Sequence, residues 1–153
     1  MVVLNAETGS GKSTQLVQYM VDAGLIKDGL SVVCTQPRKL PALALYKRVS
    51  EECEGCTSLD RLVGCLTNSV SQHKHCLPHI LYSTDNVLLQ LLLIDERLSQ
   101  FGCVIIDEAH ERSLSTDLLL AMLKKCLPHR PDLKVVIMSA TADTASICSY
   151  FGA

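Results

Sequence analysis

The chain has 153 residues, enough for one domain with a sizeable buried core. Hydrophobic residues make up 48% of it and charged residues 20%, a balance too apolar for a disordered protein. The formal net charge of -2 excludes a broadly basic surface, so any nucleic-acid binding must rely on a few local donors. No apolar run approaches the roughly 18 residues that a membrane span requires, so no membrane contact is expected.

Apolar runs and helical patterns alternate along the chain. We predict strands at residues 2–4, 30–35, 62–66, 80–83, 103–106 and 134–138. We predict helices at residues 13–23, 85–93, 117–127 and 143–151, with one more that carries Pro41 in its first turn. Residues 54–78 are otherwise polar and indicate a surface loop. Continuous apolar strands separated by helices are typical of a parallel sheet covered on both faces. The predicted fold is therefore α/β, with three layers and a mainly parallel sheet.

A glycine-containing loop joins the first strand to the first helix. It reads Ala6-Glu7-Thr8-Gly9-Ser10-Gly11-Lys12-Ser13-Thr14. Gly9 and Gly11 lack a Cβ, so the backbone can curl and direct its N–H groups at phosphate oxygens, next to the positive end of the helix dipole. Lys12 is suited to reach the β- and γ-phosphates, and the Ser13 hydroxyl to bind Mg²⁺. This pattern predicts a P-loop, although Ala6 replaces its usual first glycine.

An acidic pair follows the apolar strand at residues 103–106. In Asp107-Glu108-Ala109-His110 the first carboxylate would reach the metal and the second the attacking water. The alternative is a solvated acidic strand end, which is common for a single Asp-Glu pair. That alternative is weaker here because we expect the phosphate loop at a neighbouring strand end. The two motifs together predict binding and hydrolysis of a nucleoside triphosphate.

Five segments, in this order and spacing, resemble the DEAH-box RNA helicases of superfamily 2. They are Glu7-Thr8-Gly9-Ser10-Gly11-Lys12-Ser13-Thr14-Gln15, Thr35-Gln36-Pro37-Arg38, Ser83-Thr84-Asp85-Asn86-Val87-Leu88-Leu89, Asp107-Glu108-Ala109-His110-Glu111-Arg112-Ser113 and Ser139-Ala140-Thr141. The resemblance covers almost the whole chain. It implies the first of two RecA-like lobes of an ATP-dependent RNA helicase that separates strands or removes bound protein.

The resemblance also implies roles for the nucleotide-site residues. The P-loop residues, among them Lys12 and Thr14, would hold ATP and Mg²⁺. Asp107 would bind Mg²⁺ through water, and Glu108 would polarise the attacking water. His110 and the segment Ser139-Ala140-Thr141 would couple the nucleotide state to movement between domains, although Ser139 and Thr141 could simply end a strand. Arg48 matches an arginine that packs on the base, which implies loose preference among ATP, GTP, CTP and UTP.

Two further segments match those that contact the sugar-phosphate backbone of single-stranded RNA in this family. Their candidate residues are Thr35, Gln36, Arg38, Thr84 and Asp85. The alternatives are ordinary ones: Arg38, like Arg48, could be a solvated charge, and Thr84 with Asp85 could form a helix N-cap.

The chain departs from the family in what it lacks. No segment resembles Gln-Arg-x-Gly-Arg, the arginine motif of the second lobe, and the chain opens almost on the P-loop and stops at Ala153. We therefore expect a lobe truncated at both ends, with a second lobe in cis and possible activator proteins if it is a fragment. The alternative is a non-catalytic nucleotide-binding or interaction module, inactive without a second lobe.

Eight cysteines raise the question of a metal site or disulfides. Cys53 and Cys56 lie close together, with more Cys and His downstream, but their spacing matches no established zinc pattern. We expect reduced thiols and hence an intracellular protein, of the nucleus or the cytoplasm.

Overall fold

A computed structural model describes residues 1–7, 9–54, 63–68, 78–141 and 144–152. Its strands are β1 (Val2–Asn5), β2 (Ser31–Gln36), β3 (Val63–Leu66), β4 (Ile80–Thr84), β5 (Phe101–Ile106) and β6 (Lys134–Ser139). They form one sheet in the order β1-β6-β5-β2-β4-β3, and every pair is parallel. All six predicted strands are therefore confirmed, with bounds that shift by two residues at most.

Five α-helices connect or follow these strands. They are α1 (Lys12–Asp22), α2 (Lys39–Glu54), α3 (Asp85–Ile94), α4 (Leu114–Cys126) and α5 (Thr144–Phe151). Two 3₁₀ turns, Ala109–Glu111 and Leu127–His129, lie before and after α4. None of the described helices combines the length and the apolar character that crossing a membrane would require. The surface loop predicted within 54–78 falls mostly on residues 55–62 and 69–77, which lie outside the described residues.

Helix α4 begins three residues earlier than its sequence pattern predicts. The cause is a side-chain cap: Ser113 Oγ accepts a hydrogen bond from the backbone N–H of Thr116 at 3.1 Å. Serine at this position satisfies a backbone donor that the first turn leaves unpaired. The cap fixes where α4 starts, directly after the acidic motif.

Each face of the sheet carries its own hydrophobic cluster. Side chains alternate between the two faces along a strand, so Val33 and Val104 pack with the helices α3, α4 and α5, while Val32 and Ile105 pack with α1 and α2. This arrangement confirms the predicted three-layer α/β architecture. It also puts both loop motifs at the same edge, the carboxyl ends of the strands.

The strand order separates the two motifs by one strand. We expected the phosphate loop and Asp107 at neighbouring strand ends, but β6 lies between β1 and β5. The Ala6 N–H donates to the Ser139 carbonyl at 3.1 Å, and the Asp107 N–H donates to the Thr35 carbonyl at 3.1 Å. The segment that follows β6 therefore stands between the glycine loop and the acidic motif.

Candidate nucleotide and magnesium site

The glycine loop has the backbone geometry of a phosphate cradle. Gly9 and Gly11 adopt φ angles of 85° and 78°, which residues with a Cβ rarely adopt. Gly11 is the N-cap of α1, and the Ser10 N–H donates to the Glu7 carbonyl at 3.3 Å within the loop. Thr8 lies outside the described residues. The start of α1 therefore presents unpaired N–H groups and its positive dipole end toward the space above the loop.

Lys12 is held close to the acidic motif. Its side chain is only 5% exposed, and its Nζ lies 3.4 Å from the Glu7 carbonyl and 3.8 Å from Glu108 Oε1. A buried ammonium group is costly unless an opposite charge or good acceptors surround it. Glu108 supplies that charge here, and phosphate oxygens could take over the same function when a ligand binds.

Asp107 is the acceptor around which the candidate metal site is built. Its Oδ2 accepts hydrogen bonds from Ser13 Oγ and, at 2.5 Å, from Gln36 Nε2. Its Oδ1 accepts from the backbone N–H of Glu108 at 2.9 Å. The carboxylate is buried at 1% exposure, so these donors compensate its charge. Ser13 and Asp107 thus place two hard oxygen ligands side by side, which is the donor type that Mg²⁺ prefers.

Glu108 is turned toward Lys12 by an unusual backbone conformation. Its φ and ψ angles of 54° and 34° are left-handed, which costs a residue with a Cβ roughly 1–2 kcal/mol. Its Oε2 lies 3.2 Å from His110 Nε2. His110 Nδ1 in turn accepts the Ala140 N–H at 3.2 Å. A ring nitrogen that accepts carries no proton, so His110 can donate only from Nε2, the nitrogen that lies near Glu108.

The segment after β6 is thereby connected to the acidic motif. The Thr141 N–H donates to Ser139 Oγ at 3.3 Å, which curls the chain and presents the Ala140 N–H to His110. Ser139 is buried at 1% exposure, whereas Thr141 is exposed. The predicted coupling residues, His110 and Ser139-Ala140-Thr141, thus meet in the structure, and their role in coupling stays a prediction.

These groups surround a cleft of about 380 Å³. The glycine loop and the acidic motif form one side, and the first half of α2 forms the other. The lining residues are Gly9, Gly11, Lys12, Ser13, Thr14, Gln36, Pro41, Ala44, Leu45, Asp107 and Glu108. The cleft therefore offers a cationic and hydrogen-bonding side for phosphates and an apolar wall opposite.

Arg48 lies farther along α2, beyond that apolar wall. Its side chain is 67% exposed, and its Nε bonds Glu52 Oε1 at 2.6 Å. The predicted stacking position for a base is thus open to solvent and already oriented by an acidic neighbour.

The five predicted RNA-contact residues divide into buried and exposed ones. Thr35 and Asp85 have no exposed surface, and Gln36 and Thr84 retain 3% and 5%. Thr84 Oγ1 accepts the Val87 N–H at 3.4 Å, so it does form the predicted N-cap of α3. Only Arg38 among the five has an exposed side chain, which lies 3.1 Å from Glu111. RNA contact by this set stays a prediction, and Arg38 is the side chain that can make it without rearrangement.

Asp85 belongs to a buried polar cluster with Thr35 and Thr116. Thr116 Oγ1 donates to Asp85 Oδ2 at 2.5 Å. Asp85 Oδ1 and Thr35 Oγ1 find no partner in hydrogen-bond geometry among the described residues. Burial raises the pKa of Asp85 above its ordinary value, and the bond from Thr116 opposes that rise. The cluster joins the ends of β2 and β4 to the start of α4.

Sequence reasoning missed two residues that hold the site together. Gln36, a predicted RNA-contact residue, also bonds Asp107, a contact that the sequence does not indicate. Tyr82, buried in β4, donates its hydroxyl to the Ser13 carbonyl at 2.8 Å and so ties β4 to the first turn of α1. Burial raises the pKa of Tyr82 far above its ordinary value, so it remains a donor. A tyrosine inside an apolar strand is a detectable signal, because its hydroxyl requires a partner when buried.

The described cysteines are not joined in disulfides. They are Cys34, Cys53, Cys65, Cys103, Cys126 and Cys148. Burial raises the pKa of the Cys103 thiol to about 12 and that of Cys34 well above its ordinary value, which makes both unreactive. Cys56, the partner in the zinc alternative, lies outside the described residues, and within the described part no three His, Cys, Asp or Glu side chains form a metal-binding group.

A second cleft of about 330 Å³ lies between α4 and α5. Its lining is Arg112, Asp117, Leu120, Ser146, Ile147 and Tyr150. Arg112 is paired with Asp117 at 2.9 Å. This cleft contains neither the glycine loop nor the acidic pair, so it is not the predicted phosphate site.

Comparison with known proteins agrees with this geometry. A sequence model described as DEAD/DEAH box helicase matches residues 1–148. The chain is 54% identical over 151 residues to the ATP-dependent RNA helicase DEAH12, chloroplastic, of Arabidopsis thaliana, and 53% identical over 150 residues to DEAH11, chloroplastic, of the same plant. These matches cover 99% and 98% of the chain and 8% of each relative.

A third relative comes from a fungus. The chain is 42% identical over 158 aligned residues to the pre-mRNA-splicing factor ATP-dependent RNA helicase prp22 of Schizosaccharomyces pombe, a match that covers 99% of the chain and 13% of that protein. The chain thus spans only about a tenth of the length of the relatives it matches. With the family model covering nearly its full length, the chain belongs to the DEAD/DEAH box helicase family.

Proposed function

We propose that residues 1–153 form the first RecA-like lobe of a DEAH-box RNA helicase, which binds and hydrolyses ATP to unwind or remodel RNA. One observation carries the proposal: the P-loop residues Lys12 and Ser13 contact Glu108 and Asp107 on one side of the cleft, although the two motifs lie far apart in the sequence. Phosphate-binding and water-activating groups in one cleft are what phosphoryl transfer requires.

The residues present fit Mg²⁺ as the metal. Mg²⁺ in nucleotide sites uses one or two protein oxygens, with phosphates and waters as its other ligands. Ser13 and Asp107 are such a pair, with Asp107 binding through water, and their direct hydrogen bond supports a position in which both face one cation. When bound with ATP, Mg²⁺ would neutralise charge on the β- and γ-phosphates.

The chain's own residues would then divide the work of hydrolysis. Lys12 would leave Glu108 for the phosphate oxygens, which frees the Glu108 carboxylate to orient and deprotonate water. His110, whose Nε2 lies 3.2 Å from Glu108 Oε2 and whose Nδ1 accepts from Ala140, would hold that carboxylate in position and sense its state. The glycine-loop N–H groups would stabilise negative charge on the transferring group. Arg48 would pack on the base, so other nucleoside triphosphates would also be accepted.

Partners follow from the same assignment. Arg38 would contact the phosphates of single-stranded RNA, while Thr35, Gln36, Thr84 and Asp85 would shape the surface beneath. A second RecA-like lobe in the same polypeptide would close the cleft and add charge-stabilising arginines, and an activator protein could promote that closure. We propose an intracellular location, in the nucleus or the cytoplasm.

Nucleotide binding by the chain is the first test. Titration with a fluorescent ADP analogue and Mg²⁺ should show binding that Lys12→Ala weakens at least tenfold, because the ammonium group is the main cation facing the phosphates. Lys125→Ala, an exposed lysine on α4, is the matched control and should bind normally. Equal affinity in the chain and in Lys12→Ala would contradict the proposed phosphate site.

Hydrolysis is the second test, and it needs the longer protein that contains a second lobe. There Glu108→Gln should keep nucleotide affinity and lose RNA-stimulated turnover by about 10²–10⁴-fold, the usual contribution of a general base. Unchanged turnover would refute the role of Glu108. Rapid hydrolysis by residues 1–153 alone would exclude the alternative of a non-catalytic nucleotide-binding module.

A further inference from the structure

Glu52, near the end of α2, is the acceptor for three side chains. Gln18 Nε2 donates to its Oε2 at 2.8 Å, Gln15 Nε2 donates to the same oxygen at 3.1 Å, and Arg48 Nε donates to Oε1 at 2.6 Å. The hydrogen bond from Gln18, followed by the Arg48 interactions, holds the pKa of Glu52 below its ordinary value. The carboxylate therefore stays ionised near neutral pH and keeps all three donors.

The donors come from two different helices. Gln15 and Gln18 belong to α1, the helix that begins at the phosphate loop, whereas Arg48 belongs to α2. Glu52 consequently ties the distal part of α2 to the helix whose N-terminus would bind phosphates. Because one oxygen of Glu52 bonds α1 and the other bonds Arg48, Glu52 fixes the position of Arg48 relative to the glycine loop.

Arg48 and Glu52 continue the face of α2 that lines the cleft. Pro41, Leu45, Arg48 and Glu52 follow at intervals of four, three and four residues, which is the spacing of one helical face. Pro41 and Leu45 line the cleft opposite the glycine loop. Arg48 is thus the next residue on this face beyond the apolar wall of the cleft, and its Nε is bonded to Glu52.

We infer that Glu52, anchored by Gln15 and Gln18, is a positioning residue that presents the planar face of Arg48 to the base of a bound nucleotide. This inference rests on the proposed nucleotide-binding function. An exposed arginine otherwise samples many rotamers, and ordering it on binding opposes affinity. With its Nε already bonded to Glu52, the guanidinium plane is oriented before the base arrives, and the stacking energy adds to the affinity for any base.

The test compares a ligand that has a base with one that lacks it. Glu52→Ala and Arg48→Ala are titrated with Mg²⁺-ATP and with Mg²⁺-tripolyphosphate, using the 153-residue chain and calorimetry. We expect Glu52→Ala to weaken ATP binding about three- to tenfold, the usual range for a cation over an aromatic face, and to leave tripolyphosphate binding unchanged. Glu51→Ala, its exposed neighbour, is the matched control and should bind both ligands normally.

A double variant separates positioning from helix packing. If Glu52 acts through Arg48, Arg48→Ala combined with Glu52→Ala should bind ATP no more weakly than Arg48→Ala alone. Equal weakening of ATP and tripolyphosphate by Glu52→Ala, no weakening of either, or additive losses in the double variant would overturn the inference. These outcomes leave the proposed function standing as long as Lys12→Ala still weakens binding of both ligands at least tenfold. Normal binding by Lys12→Ala would refute the proposed function itself.

Discussion

Gln36 donates a hydrogen bond to Asp107 across 2.5 Å, which joins the end of β2 to the acidic motif after β5. Both side chains are almost completely buried. Asp107 Oδ2 therefore has two donors, Gln36 and the candidate Mg²⁺ ligand Ser13. Because Gln36 is followed by Pro37 and Arg38, the chain that would contact RNA leads directly to a group that holds the metal-site carboxylate.

Replacing Gln36 tests this connection. Gln36→Leu keeps the approximate volume and removes one donor to a buried carboxylate, so the free energy of unfolding should fall by about 1.5–3 kcal/mol. ADP affinity should fall severalfold with Mg²⁺ and change little without it, because Asp107 is the affected group. Urea unfolding and calorimetric titration with and without Mg²⁺ measure both effects. Gln100→Leu, at an exposed position, is the control, and equal affinity loss with and without Mg²⁺ would contradict the connection.

Substitutions of Arg38 and of its partner Glu111 should change RNA affinity in opposite directions. If Arg38 contacts an RNA phosphate, Arg38→Ala should weaken binding of a single-stranded RNA and reduce the slope of log affinity against log salt by about 0.7. Glu111→Gln removes the competing carboxylate at 3.1 Å and should strengthen binding about two- to threefold. Fluorescence anisotropy over a range of salt concentrations measures both, with Glu96→Gln as an exposed control. Weaker binding in Glu111→Gln would mean that the ion pair orients Arg38 rather than competing for it.

Asp85 predicts a pH dependence of stability. Burial raises its folded pKa above the ordinary 3.8, so the folded protein holds this proton more tightly than the unfolded chain does. The stability that this carboxyl contributes is therefore complete below pH 3.8 and is lost as the pH rises through the folded pKa. Asp85→Asn retains an acceptor for Thr116 and cannot ionise. Its stability relative to the unchanged protein should rise with pH, and urea unfolding from pH 3.5 to 8 measures the difference.

Asp132 is the control for that experiment, because its pKa is lowered in the folded protein whereas that of Asp85 is raised. Its hydrogen bond from Arg130 holds the pKa of Asp132 below the ordinary value, so its stabilising effect exists above pH 3.8 and disappears in acid. Asp132→Asn should therefore lose stability relative to the unchanged protein at neutral pH and match it in acid. A stability difference for Asp85→Asn that does not vary with pH would show that Asp85 titrates normally in the folded protein.

The cap of α4 gives a simpler stability prediction. Ser113→Ala removes the acceptor for the Thr116 N–H and should lower the free energy of unfolding by about 1 kcal/mol. Urea unfolding measures it, and Ser50→Ala, within α2, should have no such cost because alanine favours a helix interior. An unchanged stability in Ser113→Ala would mean that water or another group replaces the cap.

The sequence was sufficient for features that depend on local pattern. Strand and helix positions follow from apolar periodicity. Gly9 and Gly11 indicate positions of left-handed backbone, because few other residues adopt that conformation. What it could not supply are contacts between distant segments. Thr35, Gln36 and Asp85 are polar residues that a linear sequence would place at the surface, and only the three-dimensional packing shows that they are buried. The insertion of β6 between β1 and β5 is likewise a matter of topology that no local signal encodes.

The position of β1 has a consequence for how the site responds to ligand. Within the described residues this strand lies at one end of the sheet, with β6 as its sole strand partner. A terminal strand detaches more easily than a central one, so the glycine loop is attached to one of the least secure parts of the sheet. Phosphate bound in the loop would then slow the opening of β1. Hydrogen exchange of the Val3 and Leu4 amides, in the strand before the loop, would therefore slow when nucleotide binds. Nucleotide binding would thus stabilise β1, the strand that precedes the glycine loop.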